Sequence, residues 1–389
     1  MMKLSKYLSL LLLLGLILSA CGTSAPAEAP APVEAESSGA AEADVQQAES
    51  SGEFNFAWND IRTFNTLQAA ADAGYTITEF SEDPKFAAMV EAGELPPVQE
   101  RLPENPQVVA PYRDIGKYGG TVIAGRDSRS HMADAQFFLG YEAPQRIDSD
   151  FVTVIPNVFK DITANDDFSV YTFHLRQGMK WSDGEEFNTE DIDFAIKDVF
   201  MNEELTVALD RRWTRGGDAP NFTAIDAYTY EVDFGSSYPY FLTAFYEINF
   251  SSAFTSYPEH YGKKFHKDYA DPDALQALID EQEVEDWVAL FKGNIGGNFG
   301  WASQLQRNWN GETLPTLMPF MMTDFTDTTV IFEKNPYYWK VDVAGNQLPY
   351  IDKVVVSFFN SYEMINGQVL SGDLDSAGFY TDIRDFQTQ

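Results

Sequence analysis

The side chains of this 389-residue chain that could carry chemistry are four histidines, one cysteine, seven tryptophans and sixty acids. The histidines are His131, His174, His260 and His266. Two imidazoles hold a metal when they stand four apart on a helix, but His260 and His266 stand six apart in a polar stretch. No HExxH, CxxC, GxSxG or Walker sequence is present. His174 alternates with Phe173 and Leu175 and reads as a structural residue on the outer face of a strand. Acid pairs such as Asp166/Asp167 and Glu185/Glu186 are the groups a glycosidase would use. Among sixty acids such pairs arise by chance, and they read as solvated surface. These residues predict no enzyme, no metal and no cofactor.

Binding chemistry has better candidates. Ser128, Arg129, Ser130 and His131 directly follow a predicted strand, where loops reach a ligand. His131 has two readings, a cleft contact and a solvated loop residue. Trp213 lies in the flexible Trp-Thr-Arg-Gly-Gly segment. Trp301, Trp309 and Asn310 lie in a Gly- and Asn-rich stretch, Gly293 to Gly311. Such aromatics either wall a ligand cleft or pack a long insertion onto its own lobe, and both readings stand.

Composition limits the classes. A 44% hydrophobic share over 389 residues supports two or three domains with a sizeable core, and most of the 14% aromatic share belongs there. A net charge of −34 without any Lys/Arg run disfavours nucleic acid, which needs a basic stripe, and suits a soluble exported protein. With one cysteine, no intrachain disulfide forms. Lys3 and Lys6 followed by the apolar run Leu8 to Leu18 read as a signal peptide, residues 1–20. Leu18-Ser19-Ala20-Cys21 resembles a bacterial lipobox, which implies that Cys21 carries lipid and anchors the chain to a membrane. Residues 21–53, rich in Ala, Pro, Glu and Ser, read as a disordered acidic tether.

The elements that must position these residues follow from pattern. Phe64 to Ala73 and Pro84 to Ala92 read as short helices, the second ended by Gly93. Tyr118 to Gly125 reads as a strand, its glycines giving flexibility at the strand entry. Tyr171, Phe173 and Leu175 alternate with Thr172, His174 and Arg176, a half-buried strand. Ser182-Asp183-Gly184 is a turn. Asn188 is an N-cap with Asp191 at N3, before a helix whose apolar face is Ile192, Ala195, Ile196 and Val199. Tyr228 to Phe234, Thr328 to Lys334 and Lys353 to Phe358 are further strands. Asp273 to Leu290 reads as one amphipathic helix, and Asn335 with Pro336 as a capped turn.

Three of these segments carry a resemblance. Phe168 to Val199 resembles the "tFhLR.g.kWsDG.pfta.D" signature of the family 5 solute-binding proteins of ABC importers, the dipeptide, oligopeptide and nickel receptors. Asn335-Pro336-Tyr337-Tyr338-Trp339 resembles the family's "NP.YW" turn. Met364 to Leu370 with Gly372-Asp373-Leu374-Asp375 resembles its "l..GelD" element. The resemblance implies an α/β fold of mixed sheets, periplasmic-binding-protein-like type II, with a first lobe and a small second domain. Residues 54–116 would be an N-terminal extension, 117–136 the start of lobe 1, 137–228 the small domain and 229–389 the return into lobe 1. Family members run longer, so the C-terminal lobe is expected to be largely missing, and the chain alone to bind ligand weakly. The implied function is capture of a peptide, with an oligosaccharide or other solute as the alternative. The implied partners are a permease and, through it, an ATPase, with the receptor a monomer. A lipid-anchored adhesive surface protein is the reading from another class.

Overall fold

The computed structural model describes residues 62–128, 142–147, 154–206, 211–245, 254–295 and 310–377. The proposed signal peptide, tether and Cys21 lie outside the described residues, as do Arg129, Ser130, His131, Trp301 and Trp309.

The strand Val170–Leu175 keeps the period its sequence predicts: Tyr171, Phe173 and Leu175 are buried and the alternate residues half-buried. It pairs antiparallel with Phe159–Ala164 on one side and Thr229–Asp233 on the other, and Asn221–Asp226 closes a four-stranded sheet. Asn188 caps the following helix through a full capping box, its side chain and that of Asp191 each meeting the other's backbone end. Beyond Asp193 the helix widens into a π-helix, Phe194–Phe200, where a regular α-helix was expected. The wider turn buries Phe194, Ala195, Ile196, Val199 and Phe200 together, more of one short segment than a 3.6-residue period places on one face.

A second sheet has the strand order Phe320–Phe325, Thr329–Lys334, Lys353–Phe358, Thr121–Arg126, Ser376–Ala377. Thr121–Arg126, next to the edge strand Ser376–Ala377, is parallel to both neighbours. The helix Tyr362–Leu370, capped by Ser361, carries the chain from one neighbour to the other. Gly119 and Gly120 have positive φ, as strand-entry flexibility requires, but Gly125 is glycine for another reason. A Cβ there would stand 2.5 Å from Leu374 and 3.3 Å from Phe359, so the crossover packs directly on the backbone.

The segment Thr63 to Val109 is stitched into the same body. Gln107–Val109 pairs with Thr63–Phe64 and runs parallel to Lys340–Asp342. Lys334, fully buried, meets both Asp83 and Asp352, and buried Arg101 donates to the Pro96 carbonyl at 2.9 Å and to Gln347 at 2.8 Å. The helix expected from Phe64 starts at Leu67, because Thr66 caps it and Thr63–Phe64 is spent on the strand. The single helix expected over Asp273 to Leu290 is two, Pro272–Glu281 and Trp287–Ile295. Glu283 adopts φ 52°, Glu283 N–H donates to Asp280 and Val284 N–H to Ile279, a Schellman stop made without glycine. Asp286 then accepts from Ala289 N–H at 2.8 Å and restarts the helix.

Arg176 joins these parts. Its guanidinium is wholly buried and donates to the carbonyls of Asn65 (2.8 Å), Asn105 (2.9 Å) and Asn157 (2.8 and 2.9 Å), while its centre lies 5.0 Å from the Trp339 ring. Asn157 passes the network on: it donates to Glu142 at 2.8 Å and accepts from Lys340 at 3.0 Å, and Lys340 pairs with Glu142 at 2.8 Å. Burial depresses the Arg176 guanidinium to about 9, yet it stays charged at neutral pH. Arg176→Ala leaves one buried and two half-buried carbonyls without their donor, and is expected to lower unfolding free energy by about 3–5 kcal/mol in urea titration. A loss below ~1 kcal/mol would show the network to be dispensable.

Candidate functional site

The place where this fold offers polar groups to a ligand is the carboxyl end of the parallel part of the five-stranded sheet. Adjacent strands Thr121–Arg126 and Lys353–Phe358 finish there side by side, in register from Lys353 opposite Thr121 to Phe358 opposite Arg126. Open α/β sheets bind ligands at such ends because the loops diverge from them. The chain turns tightly here: Phe359 N–H donates to the Arg126 carbonyl at 2.8 Å. Ser361 accepts from Met364 N–H at 3.3 Å and caps a nine-residue helix, so the positive end of that helix lies beside the strand ends. Asp127, Ser128, Phe358 and Phe359 are half-buried and Asn360 is exposed. The Arg126 side chain is buried at 2% exposure beneath them, one nitrogen donating to the Gly125 carbonyl at 2.6 Å. A helix N-terminus, an exposed amide and two half-buried rings suit a polar solute with carbonyl, carboxylate or hydroxyl groups and some apolar surface, with the buried Arg126 charge beneath.

Of the site residues expected from sequence, Ser128 lies at this edge, directly after the strand. Trp213 does not face a cleft. It is 1% exposed, stacked on Phe254 at 5.3 Å with Phe222, Phe241 and Phe245 around it, because the chain feeds it under the four-stranded sheet. Asn310 is half-buried and ties loop to helix: it donates to Asn294 at 2.7 Å and accepts from Glu312 N–H at 2.9 Å. Arg126 and Asn360 were missed. The available signals were a cation ending an apolar strand, and Phe-Asn-Ser before a helical stretch, where Ser caps.

Three histidines are described, and no cluster able to hold a metal occurs among the described residues. His174 is half-buried on its strand's outer face, as expected. His266, read as part of a polar stretch, is fully buried, its ring 4.9 Å from Trp287 and 5.9 Å from Phe291. His260 pairs with Asp183 at 2.7 Å and so ties the Ser182-Asp183-Gly184 turn to the helix Glu259–Gly262. Burial pulls the His260 imidazole down, but the hydrogen bond and charge of Asp183, with Asp191 and Glu185 behind it, outweigh burial and raise it above 6.5. A histidine raised in the native state stabilises fully below its unfolded value, and that contribution is lost as pH rises through the native value. The stability difference between the native chain and His260→Gln is therefore expected to be largest near pH 6 and to shrink toward pH 9, measured by urea midpoints at about these two values. A difference independent of pH would remove the ion pair from the account.

Comparison with known proteins fits this geometry. Residues 153–389 match the family model described as bacterial extracellular solute-binding proteins, family 5, middle region. The periplasmic alpha-galactoside-binding protein of Rhizobium meliloti is 27% identical over 288 residues, 68% of this chain and 37% of the relative. The oligopeptide-binding protein OppA of Bacillus subtilis is 26% identical over 234 residues, 56% of this chain and 33% of the relative. Among solved structures, an oligopeptide-binding protein OppA superposes with TM-score 0.72 at 32% identity, covering 81% of this chain and 47% of that one. The periplasmic binding protein MelB of Agrobacterium fabrum C58, in complex with stachyose, superposes with TM-score 0.57 at 25% identity, covering 77% of this chain and 44% of that one. The chain thus spans about a third of the length of these curated relatives and just under half of these solved structures. With its family model matched over more than half its length, the chain belongs to the bacterial extracellular solute-binding proteins of family 5.

Proposed function

We propose that this chain is the substrate-capturing part of an ABC importer's extracytoplasmic receptor, and that its solute is a peptide. The observation that carries the reading is the superposition on OppA, at TM-score 0.72 over 81% of this chain. The strand end at Ser128, Asn360 and Ser361, above the buried Arg126, is the surface that would face the solute. Donors there suit the carbonyl and carboxylate oxygens of a peptide. Binding would follow hinge closure around the solute, with energy for uptake supplied by an ATPase behind the permease, so the receptor itself needs only binding groups. The proposed boundaries are an extension over 54–116, lobe 1 from 117 to 136 and from 229 to 389, and a small domain over 137–228. The receptor would act as a monomer.

An oligosaccharide is the second reading. It is favoured by the relative named for alpha-galactoside binding and by the MelB complex with stachyose. Deletion of the gene in its host separates the two. Loss of growth on short peptides as the amino-acid source, with growth on stachyose unchanged, is the expected outcome. Loss on stachyose alone would replace peptide with oligosaccharide, and no loss on either would remove the receptor reading.

We further propose that Cys21 carries the lipid that holds the chain on the membrane's outer side. No described helix is long and apolar enough to cross a membrane. Two or more acyl chains suffice for a stable anchor. Cys21→Ser is expected to abolish labelling by radioactive palmitate and to move the protein into the soluble extracytoplasmic fraction. Labelling that survives the substitution would place the lipid elsewhere.

A further inference from the structure

A cavity of about 380 Å³ opens beside the four-stranded sheet, and none of its lining belongs to the sheet edge described above. Its walls include Glu104, Lys160, Asp161, His174, Arg176 and Tyr228. We propose that it is a second small-molecule site, one that takes a zwitterion of amino-acid size. In this assignment the carboxylate lies toward Lys160 and His174 and the ammonium toward Glu104 and Asp161.

Three observations lead there. First, the fold builds the walls. Asp161 and His174 are register partners across antiparallel strands, and Thr229 is the partner of His174 on its other side. The pairing shifts between Phe159 and Asp161, a bulge that frees Lys160 from the ladder and re-aims it. The rim on the far side is the segment Glu104–Asn105, pinned by Glu104 N–H to the Gln177 carbonyl at 3.0 Å and by Arg176 to the Asn105 carbonyl at 2.9 Å. The site is therefore assembled from two parts of the chain that the Arg176 network holds rigid.

Second, its charged side chains form no ion pair. Lys160, Asp161 and Glu104 make no salt bridge among the described residues, although the molecule pairs exposed charges elsewhere, as in Lys85–Glu333 and Lys267–Glu204. The Asp161 carboxylate accepts from the neighbouring Ile162 amide at 2.9 Å through one oxygen.

Third, the charges are of both signs within one small volume. A simple anion would meet two carboxylates there, and a simple cation would meet Lys160 with the buried Arg176 guanidinium behind it. A neutral polyol would hydrogen-bond to both sets but would neutralise neither. A ligand with a carboxylate and an ammonium a few bonds apart satisfies both, and the Tyr228 ring, its hydroxyl tied to Glu186, offers it a flat apolar wall.

The test is ligand-observed and protein-observed NMR on the whole chain with L-alanine, acetate and ethylamine as probes, following the His174 imidazole resonance. L-alanine is expected to shift that resonance with a saturable affinity, and acetate and ethylamine to bind about fivefold or more weakly. Lys160→Ala and Asp161→Asn are each expected to weaken L-alanine by a similar factor. Both residues are exposed, so unchanged thermal melts will show that the fold is intact. Acetate binding as well as L-alanine would overturn the zwitterion, as would L-alanine affinity unchanged in the two variants or no shift at all. The site stands apart from the receptor reading: its failure leaves growth on peptides untouched, and loss of peptide growth on gene deletion says nothing of it.

Discussion

A guanidinium cannot sit in a dry interior unless every face of it is satisfied, and the burial of Arg176 imposes that condition on much of the molecule. Its donors need carbonyls, and no single loop supplies enough of them. Asn65 and Asn105 come from the N-terminal segment and Asn157 from the bend that leads into the four-stranded sheet. Trp339 then covers the flat face from a turn more than a hundred and fifty residues away in sequence. Four stretches of chain are thereby fixed to one group, and two signature segments that are remote in sequence become one structural feature. The N-terminal segment is consequently integral to the body, which its short helices and prolines alone do not reveal.

The two larger sheets divide the labour. The four-stranded sheet is an aromatic store: Tyr171, Phe173, Trp213, Phe241, Phe245 and Phe254 interlock at centroid separations of 4.8–6.3 Å. Rings packed edge to face supply rigidity as well as apolar burial. The five-stranded sheet has the smaller aliphatic core of Ala124, Val330, Val354 and Val356, and spends its strand ends on polar display. Its glycine at 125 lets the crossover approach the strand Thr121–Arg126, which brings the capped helix end beside Arg126. The aromatic core and the polar strand ends thus belong to different sheets.

Much of this was legible in the sequence wherever the determinant was local. The alternation of Tyr171, Phe173 and Leu175, the Asn188–Asp191 capping box, the Asn335 turn and the strand Lys353–Phe358 all depend on residues within a few positions of one another. The misreadings have the opposite character. Trp213 lies beside Gly216 and Gly217 and looks like loop, but the partners that bury it are Phe241 and Phe254. The helix through Asp273 to Leu290 is broken at Glu283, a residue whose left-handed conformation no local rule favours. The π-helical turn after Asp193 exists because the core accepts five adjacent side chains there.

The sequence by itself determined the family, the type and order of most elements, and the acidity that sets this protein apart from nucleic-acid binders. Those follow from short-range periodicity, capping and composition. Only the tertiary structure decided which polar residues are structural and which face solvent space. It placed Arg176 in the interior, Trp213 in the core, His266 against Trp287, and Arg126 buried at a strand end opposite Phe358. The reason is physical: the role of a charged or aromatic side chain is set by what surrounds it, and those neighbours come from segments whose separation along the chain carries no trace in local pattern.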